Sequence, residues 1–247
     1  LKLLGWDTSS KSGAIVALEW EPRCPWDEVR LVSEWSLDVD SRHAERLLWG
    51  IHQVLESARW TLSDIDVFLV GTGPGSFTGL RIGITTARTL AHSMGKPLLG
   101  VSSLAALARP ATLWLKAAKL ESVSVIAATD AAKGELFVFL ETADGVKEAV
   151  AEPVSWIGSL PARAWLAVGE GRKRYPEAWK LLQADLKIEP PVAFSDQIQG
   201  RYLGMLGWEL CEKSDLKKAS PLEVHPRYLR ASDAEVKLKA GLLKPSP

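Results

Sequence analysis

The stretch "VGTGPGSFTGLRIGITTARTLA", Val70–Ala91, decides how this chain is read. Four glycines, Gly71, Gly73, Gly75 and Gly79, fall within nine residues. An apolar run, Val67–Val70, precedes them, and a helix pattern follows from about Leu80 to Met94, stopped by Gly95. Such a loop can be a phosphate cradle, a nucleophile turn or a piece of packing. A P-loop needs G-x-x-x-x-G-K-[ST], and the loop has neither that glycine spacing nor a lysine. The dinucleotide pattern G-x-G-x-x-G fails because Ser76 and Thr78 stand where its third glycine belongs. The looser G-x-G-x-x-x-G fits Gly73, Gly75 and Gly79, but it is a weak signal alone. A nucleophile elbow needs glycine two residues before Ser76, where Pro74 stands. What remains is a strand end, glycines that allow close backbone approach, hydroxyls at Ser76 and Thr78, and helix N–H groups able to meet an anion. Tight strand-to-helix packing with no ligand explains the same residues.

Upstream, "LKLLGWD" reads as a strand ending in Asp7, followed by the small polar turn "TSSKSG". "AIVALEW" and "VRLVSEWSL" read as two further strands, an antiparallel start. Ala44, Leu47, Leu48, Ile51, Val54, Leu55 and Ala58 lie at helical spacing, with Asp40 or Ser41 as cap. Downstream, "KPLLGV" is a short strand and "SSLAALA" opens a helix that Pro110 interrupts, which places a hinge near Arg109. "SVSVIAATD" is a strand ending in Asp130, "ELFVFLET" its hairpin partner and "AWLAVGEG" a further strand. "PEAWKLLQADL" and "DQIQGRYLGMLGWELCEK" have helical patterns. The order strand, Asp, polar turn, strand occurs at Asp7 and again at Asp130, which points to two related α/β halves.

The 247 residues suffice for one large or two small domains, and 47% are apolar. Lysine plus arginine equals aspartate plus glutamate at 30 each, so no global basic field exists to hold nucleic acid. From Lys213 to Pro247 there are eight basic residues against four acidic ones, the balance of a solvated tail. Two distant cysteines, Cys24 and Cys211, fit a reduced, cytoplasmic setting. No apolar run approaches the roughly 18 residues of a membrane span, and "LKLLGWD" turns polar too early for a signal peptide.

Other candidate chemistry is sparse. His43 and His52 are nine residues apart, on opposite faces of one helix, and cannot share a metal. His92 and His225 have no carboxylate or histidine at ligand spacing. Asp7 and Asp130 sit at strand ends beside small-residue turns, where phosphate- or magnesium-handling aspartates occur and where ordinary turn formers also occur.

Taken together, these pieces resemble one family. "LGWDTSSKSGAIVAL", "RHAERLLWGIHQVL", "SDIDVFLVGTGPGSFTGLRIGITTARTLA", "KPLLGVSSLAALA" and "IAATDAAKGELFVF" follow, in order, the pattern of the bacterial TsaB (YeaZ) family over roughly the first 140 residues. The most specific run is G-P-G-S-F-T-G-L-R-I-G, Gly73–Gly83, and "PRYLR", Pro226–Arg230, resembles the family's C-terminal signature. The resemblance implies an α/β fold of the actin-like ATPase (ASKHA, ribonuclease H-like) type with two lobes, the second reduced. The first lobe, residues 1–108, would carry partner-docking helices. The second, residues 109–247, would send its last helix and tail, about 195–247, back onto the first.

The function so implied is the making of N6-threonylcarbamoyladenosine on the tRNA adenosine beside the anticodon. A non-catalytic TsaB-type subunit pairs with its catalytic paralogue TsaD, and a TsaE-like ATPase joins the complex. In the paralogue two histidines of a "V-x-H-L-x-x-H" segment bind metal, whereas here Val101–Leu107, "VSSLAAL", places Ser103 and Leu107 at those positions. No catalytic or metal-binding residue is therefore assigned. His43, Leu47, Leu48, Ile51 and Leu55 of the first helix, with Arg81, Ile84 and Arg88 of the second, are the implied partner interface. The loop Gly73, Pro74, Gly75, Ser76, Phe77, Thr78 and Gly79 becomes chiefly architectural. Asp7, Thr8, Ser9 and Ser10 match the first phosphate motif and mark a nucleotide vicinity. No cofactor is expected to bind tightly, with ATP or ADP near the partner interface. A homodimer is expected when the partner is absent, with tRNA contacted only indirectly or weakly, and no membrane. The competing readings are a free-standing actin-like ATPase or small-molecule kinase and, without a histidine pair to recommend it, a metalloprotease.

Overall fold

The structure, a computed structural model, describes residues 1–38, 43–120, 122–142, 145–151, 153–160, 164–177, 179 and 196–230. Strand β1 (Lys2–Asp7), β2 (Ser12–Glu19) and β3 (Arg30–Asp38) form an antiparallel meander. Strand β4 (Val67–Gly71) then pairs parallel with β1, and β5 (Leu98–Val101) parallel with β4, giving the order β3-β2-β1-β4-β5. β4 and the inner part of β1 are buried on both faces, which is why they read as unbroken apolar runs and not as alternating ones.

The pleat still sorts their side chains. Leu4, Trp6, Phe68 and Val70 face one layer with α1 (His43–Ala58) and α2 (Phe77–Met94). Leu3, Val67 and Leu69 face the other, where Leu203 of a late helix completes the core. The helix α2 starts three residues before the expected Leu80, because Ser76 caps it by accepting from the Gly79 amide at 3.2 Å. It ends at Gly95 in the left-handed conformation, φ 61°.

A second sheet repeats the plan. Strand β6 (Ser124–Asp130), β7 (Leu136–Thr142) and β8 (Gly145–Ala151) are an antiparallel meander, and β9 (Trp165–Val168) pairs parallel with β6. The order β8-β7-β6-β9 matches β3-β2-β1-β4 element for element, so Asp7 and Asp130 end equivalent strands. Among the described residues the second sheet has four strands against five in the first, which is the two-lobed α/β arrangement with a reduced second lobe that the resemblance implies. The sequence pattern predicts β6, β7 and β9 but not β8.

Helix α3 (Ser103–Ala117) packs on β6, β7 and β9 of the second sheet and runs unbroken through Pro110. The expected hinge at Arg109, and a lobe boundary between residues 108 and 109, are therefore corrected. A proline inside a helix costs a backbone hydrogen bond, but Leu104, Leu107, Ala108, Ala111 and Leu115 are all buried in the core shared with Val125, Ala127 and Phe139, and that packing outweighs it. Short helices α4 (Pro153–Gly158) and α5 (Gly171–Arg174) follow. The helix α6 (Gly200–Lys213) packs on the first sheet, chiefly on β1 and β2. Trp26 meets Trp208 of α6 at 5.6 Å, and Trp20 donates to Glu212 at 2.9 Å. The caps Asp40 and Ser41 and most of "PEAWKLLQADL" lie outside the described residues. No described helix is long and apolar enough to cross a membrane.

Candidate functional site

The glycine loop sits directly on the β1–β2 turn. Ser76 donates its amide to the Ser9 carbonyl at 2.6 Å, and the Thr8 hydroxyl donates to the Gly79 carbonyl at 2.7 Å. A β-carbon at Gly75 would overlap the Ser9 carbonyl, and one at Gly79 the Thr8 carbonyl, so glycine is needed for backbone-to-backbone approach. Of the two uses the loop sequence left open, these contacts are packing: the loop seals the β1–β2 turn.

Asp7 lies under this seal with no exposed surface. Its Oδ1 accepts from the Ser9 amide at 2.8 Å and from the Ser9 hydroxyl at 2.6 Å, and its Oδ2 accepts from the Ser103 hydroxyl at 2.5 Å. Ser103 Oγ in turn accepts from the Gly73 amide at 3.0 Å, which ties the loop to the start of α3. Burial raises the Asp7 pKa above its ordinary 3.8, against the hydrogen bonds from Ser103 and Ser9, which lower it. The nucleotide-vicinity assignment is corrected for Asp7, Thr8 and Ser9, all buried with their polar atoms engaged inside the lobe. Ser10 of that set lines a cavity.

That cavity, about 220 Å³, lies between the Ser10–Ser12 turn and the second lobe, beside Lys11, Thr129, Glu170 and Asp196. Asp196 is gripped by Arg172 at 2.8 Å and Lys173 at 2.6 Å. Burial alone would raise its pKa, but these two hydrogen bonds prevail and lower it, so Asp196 stays paired with the two cations. The space is below the usual range for a drug-sized ligand, about 300–1,000 Å³, and two carboxylates line it. The residues present do not fit a complete ATP site. Nor do Ser103 and Leu107 fit a divalent cation. The serine hydroxyl is spent on Asp7 and Gly73, and the leucine is a buried hydrocarbon beside Gly169. Among the described residues no three His, Cys, Asp or Glu side chains gather to hold a metal.

The surface assigned to a partner is reordered by the tertiary packing. Leu47, Ile51, Leu55 and Ile84 are corrected to core: each is buried between α1, α2 and the first sheet and offers nothing to a docking protein. Arg88 is half-buried, and its guanidinium donates to the Leu222 carbonyl at 3.0 Å and bonds His225 Nδ1 at 2.9 Å. Leu48 stays 54% exposed and its neighbour Trp49, which the interface reading passed over, 53%. Trp49 leans edge-on against Trp35 at 5.4 Å. Arg81 is exposed, its guanidinium 4.7 Å from the Phe77 ring. The His43 side chain lies outside the described residues.

A second and larger cavity, about 380 Å³, opens between Ser76 and Phe77, the Asp130 turn of the second lobe, and the segment Arg227–Arg230. Tyr228 stacks on Phe77 at 4.9 Å. The sequence reading quoted "PRYLR" without assigning it to a site, though an aromatic residue flanked by arginines was a visible signal.

With this geometry in hand, the relatives are informative. The family model described as "TsaD: tRNA N6-adenosine threonylcarbamoyltransferase" matches residues 38–183. The tRNA threonylcarbamoyladenosine biosynthesis protein TsaB of Haemophilus influenzae is 28% identical over 246 residues, 93% of this chain and 94% of that protein. Its namesake in Escherichia coli is 29% identical over 189 residues, 73% of this chain and 76% of that one. Among solved structures, YeaZ from Pseudomonas aeruginosa superposes with a TM-score of 0.68 at 25% identity, covering 92% of this chain and 99% of that one.

Proposed function

This chain belongs to the family of that matched model, in its TsaB (YeaZ) branch, and from this premise we propose that it serves tRNA threonylcarbamoyladenosine biosynthesis as a non-catalytic subunit docked on a TsaD-like catalytic partner. The observation that carries the reading is the sealed first-lobe turn. The carboxylate at the end of β1 is fully buried, held by Ser9 and Ser103, and roofed by the glycine loop. A group so enclosed cannot meet a phosphate or a metal, so the chain contributes by what it holds. The first-lobe face where α1 and α2 pack side by side carries Leu48, Trp49 and Arg81 outward. Leu48 and Trp49 form the apolar centre of the docking surface, and the same face pairs two copies when the partner is absent. In the cell the heterodimer works in the cytoplasm, admits a TsaE-like ATPase, and holds ATP or ADP on the partner's side of the interface, away from the sealed turn.

Mixing this chain with a purified TsaD-like protein tests the reading. A 1:1 complex by size-exclusion chromatography with light scattering is expected, and transfer of the threonylcarbamoyl group to tRNA only by the mixture. Leu48→Glu abolishes the complex while leaving the thermal melt unchanged, since the side chain is over half exposed. Transfer by this chain alone, or a fully retained complex in Leu48→Glu, defeats the proposal.

A further inference from the structure

We propose that the cavity between the glycine loop and the C-terminal segment seats one unpaired nucleotide of an RNA strand, its base against the Phe77–Tyr228 rings and its phosphate against Arg227. The identity of that RNA as tRNA rests on the reading above. Two large rings, 38% and 45% exposed, are stacked at 4.9 Å with an interplanar angle of 30° at the cavity wall. Adjacent exposed rings beside a cavity of about 380 Å³ are an interaction surface, and the volume suits one nucleotide.

The polar groups are arranged for an anion. Arg227 has a side chain 49% exposed and pairs with Glu148 at 2.9 Å, using one edge of a fork that carries five N–H donors. Arg230 is fixed on the opposite wall by the Ala131 carbonyl at 2.6 Å and Glu135 at 3.0 Å. Asp130 is met by Arg174 at 3.8 Å. The three carboxylates near the cavity, Asp130, Glu135 and Glu148, thus each have an arginine, and Arg81 adds a fourth guanidinium over the Phe77 ring. The last of these points favours a strand over a free nucleotide. Arg81 over the Phe77 ring and Arg174 beside Asp130 stand next to two of the lining residues, outside the lining itself, and in this proposal they meet the phosphates before and after the seated base. Rings interleaved with arginines are the usual means of gripping single-stranded RNA.

The test uses the whole chain, alone and with its TsaD-like partner, titrated by fluorescence anisotropy against a labelled unstructured oligoribonucleotide and against unmodified tRNA, with ADP as competitor. Tyr228→Ala weakens both RNAs about tenfold and Tyr228→Phe restores binding to within about twofold, as stacking requires. Arg227→Gln lowers the slope of log affinity against log salt by about one. RNA affinity equal in all forms, RNA binding absent from both chain and complex, or ADP bound as tightly as the strand overturns the proposal. Complex formation is measured on the same variants. A lost RNA site with the complex intact separates this surface from the docking face, and a lost complex with RNA binding intact would fail the docking reading alone.

Discussion

Replacing Ser103 by alanine asks whether the buried network under the glycine loop is as tight as its geometry says. The substitution removes the donor to Asp7 Oδ2 and the acceptor for the Gly73 amide in one step. Asp7 and Ser103 both have 0% exposure, so water cannot replace either bond. A hydrogen bond to a charged group is worth about 1.5–3 kcal/mol, and a stranded buried donor costs about 1–3 kcal/mol. The two losses share one hydroxyl and overlap, so a destabilisation of about 2–4 kcal/mol is expected. At about 2–4 °C per kcal/mol for a chain of this size, the midpoint falls by roughly 4–16 °C. Differential scanning calorimetry and urea titration at neutral pH measure it. Ser102→Ala serves as the comparison: Ser102 accepts from the Ala105 amide at 3.1 Å as the cap of α3, worth about 1 kcal/mol, and its hydroxyl donates to the part-buried Glu148, so this variant also loses two bonds but strands no fully buried group. The Ser103→Ala deficit shrinks in acid, because the bond to a protonated Asp7 is no longer charge-assisted. A loss under about 0.5 kcal/mol at neutral pH, or one that grows in acid, refutes the network.

Asp7→Asn leaves partner binding and RNA modification intact if the carboxylate has no chemical role, and loss of modification by a folded Asn variant rejects the non-catalytic reading. The same variant reads out Asp7's raised pKa. Stability from the neutral carboxyl is complete below the unfolded value of 3.8 and is lost as pH rises through the higher folded value, so Asp7→Asn flattens that limb of the stability–pH curve. Gly79→Ala drives a β-carbon into the Thr8 carbonyl and costs about 3 kcal/mol by urea titration, and a neutral result means the loop is not seated on the turn. Burial pushes the Cys211 thiol up to about 12, so iodoacetamide at mildly alkaline pH leaves it unmodified in the folded chain by mass spectrometry and alkylates it once urea unfolds the protein. Equal rates in both states contradict its placement inside α6.

Much of the fold was legible along the chain because its signals are local. The apolar runs of β1 and β4, the helical spacing from Leu47 to Ala58, the stop at Gly95 and the repeated strand–Asp–turn–strand order each depend on neighbours a few residues apart. Ser103 and Leu107 could likewise be read as poor metal ligands from their chemistry alone. What local pattern left open was settled by contacts between distant residues. Whether the glycine loop cradled an anion or packed on protein depended on Thr8 and Ser9, some seventy residues away, whose carbonyls fill the space in front of Gly75 and Gly79. Pro110 is a helix breaker by propensity, yet α3 continues through it because the second sheet and α6 close on its apolar faces. The broad apolar stripe of α1 said that something covers it, not what. Only the packing against Ile84, Trp6 and Phe68 assigns Leu47, Ile51 and Leu55 to the core, and leaves Leu48 and Trp49 outside. Periodicity reports which residues share a face, whereas burial depends on which other element arrives there, and that is a property of the folded chain.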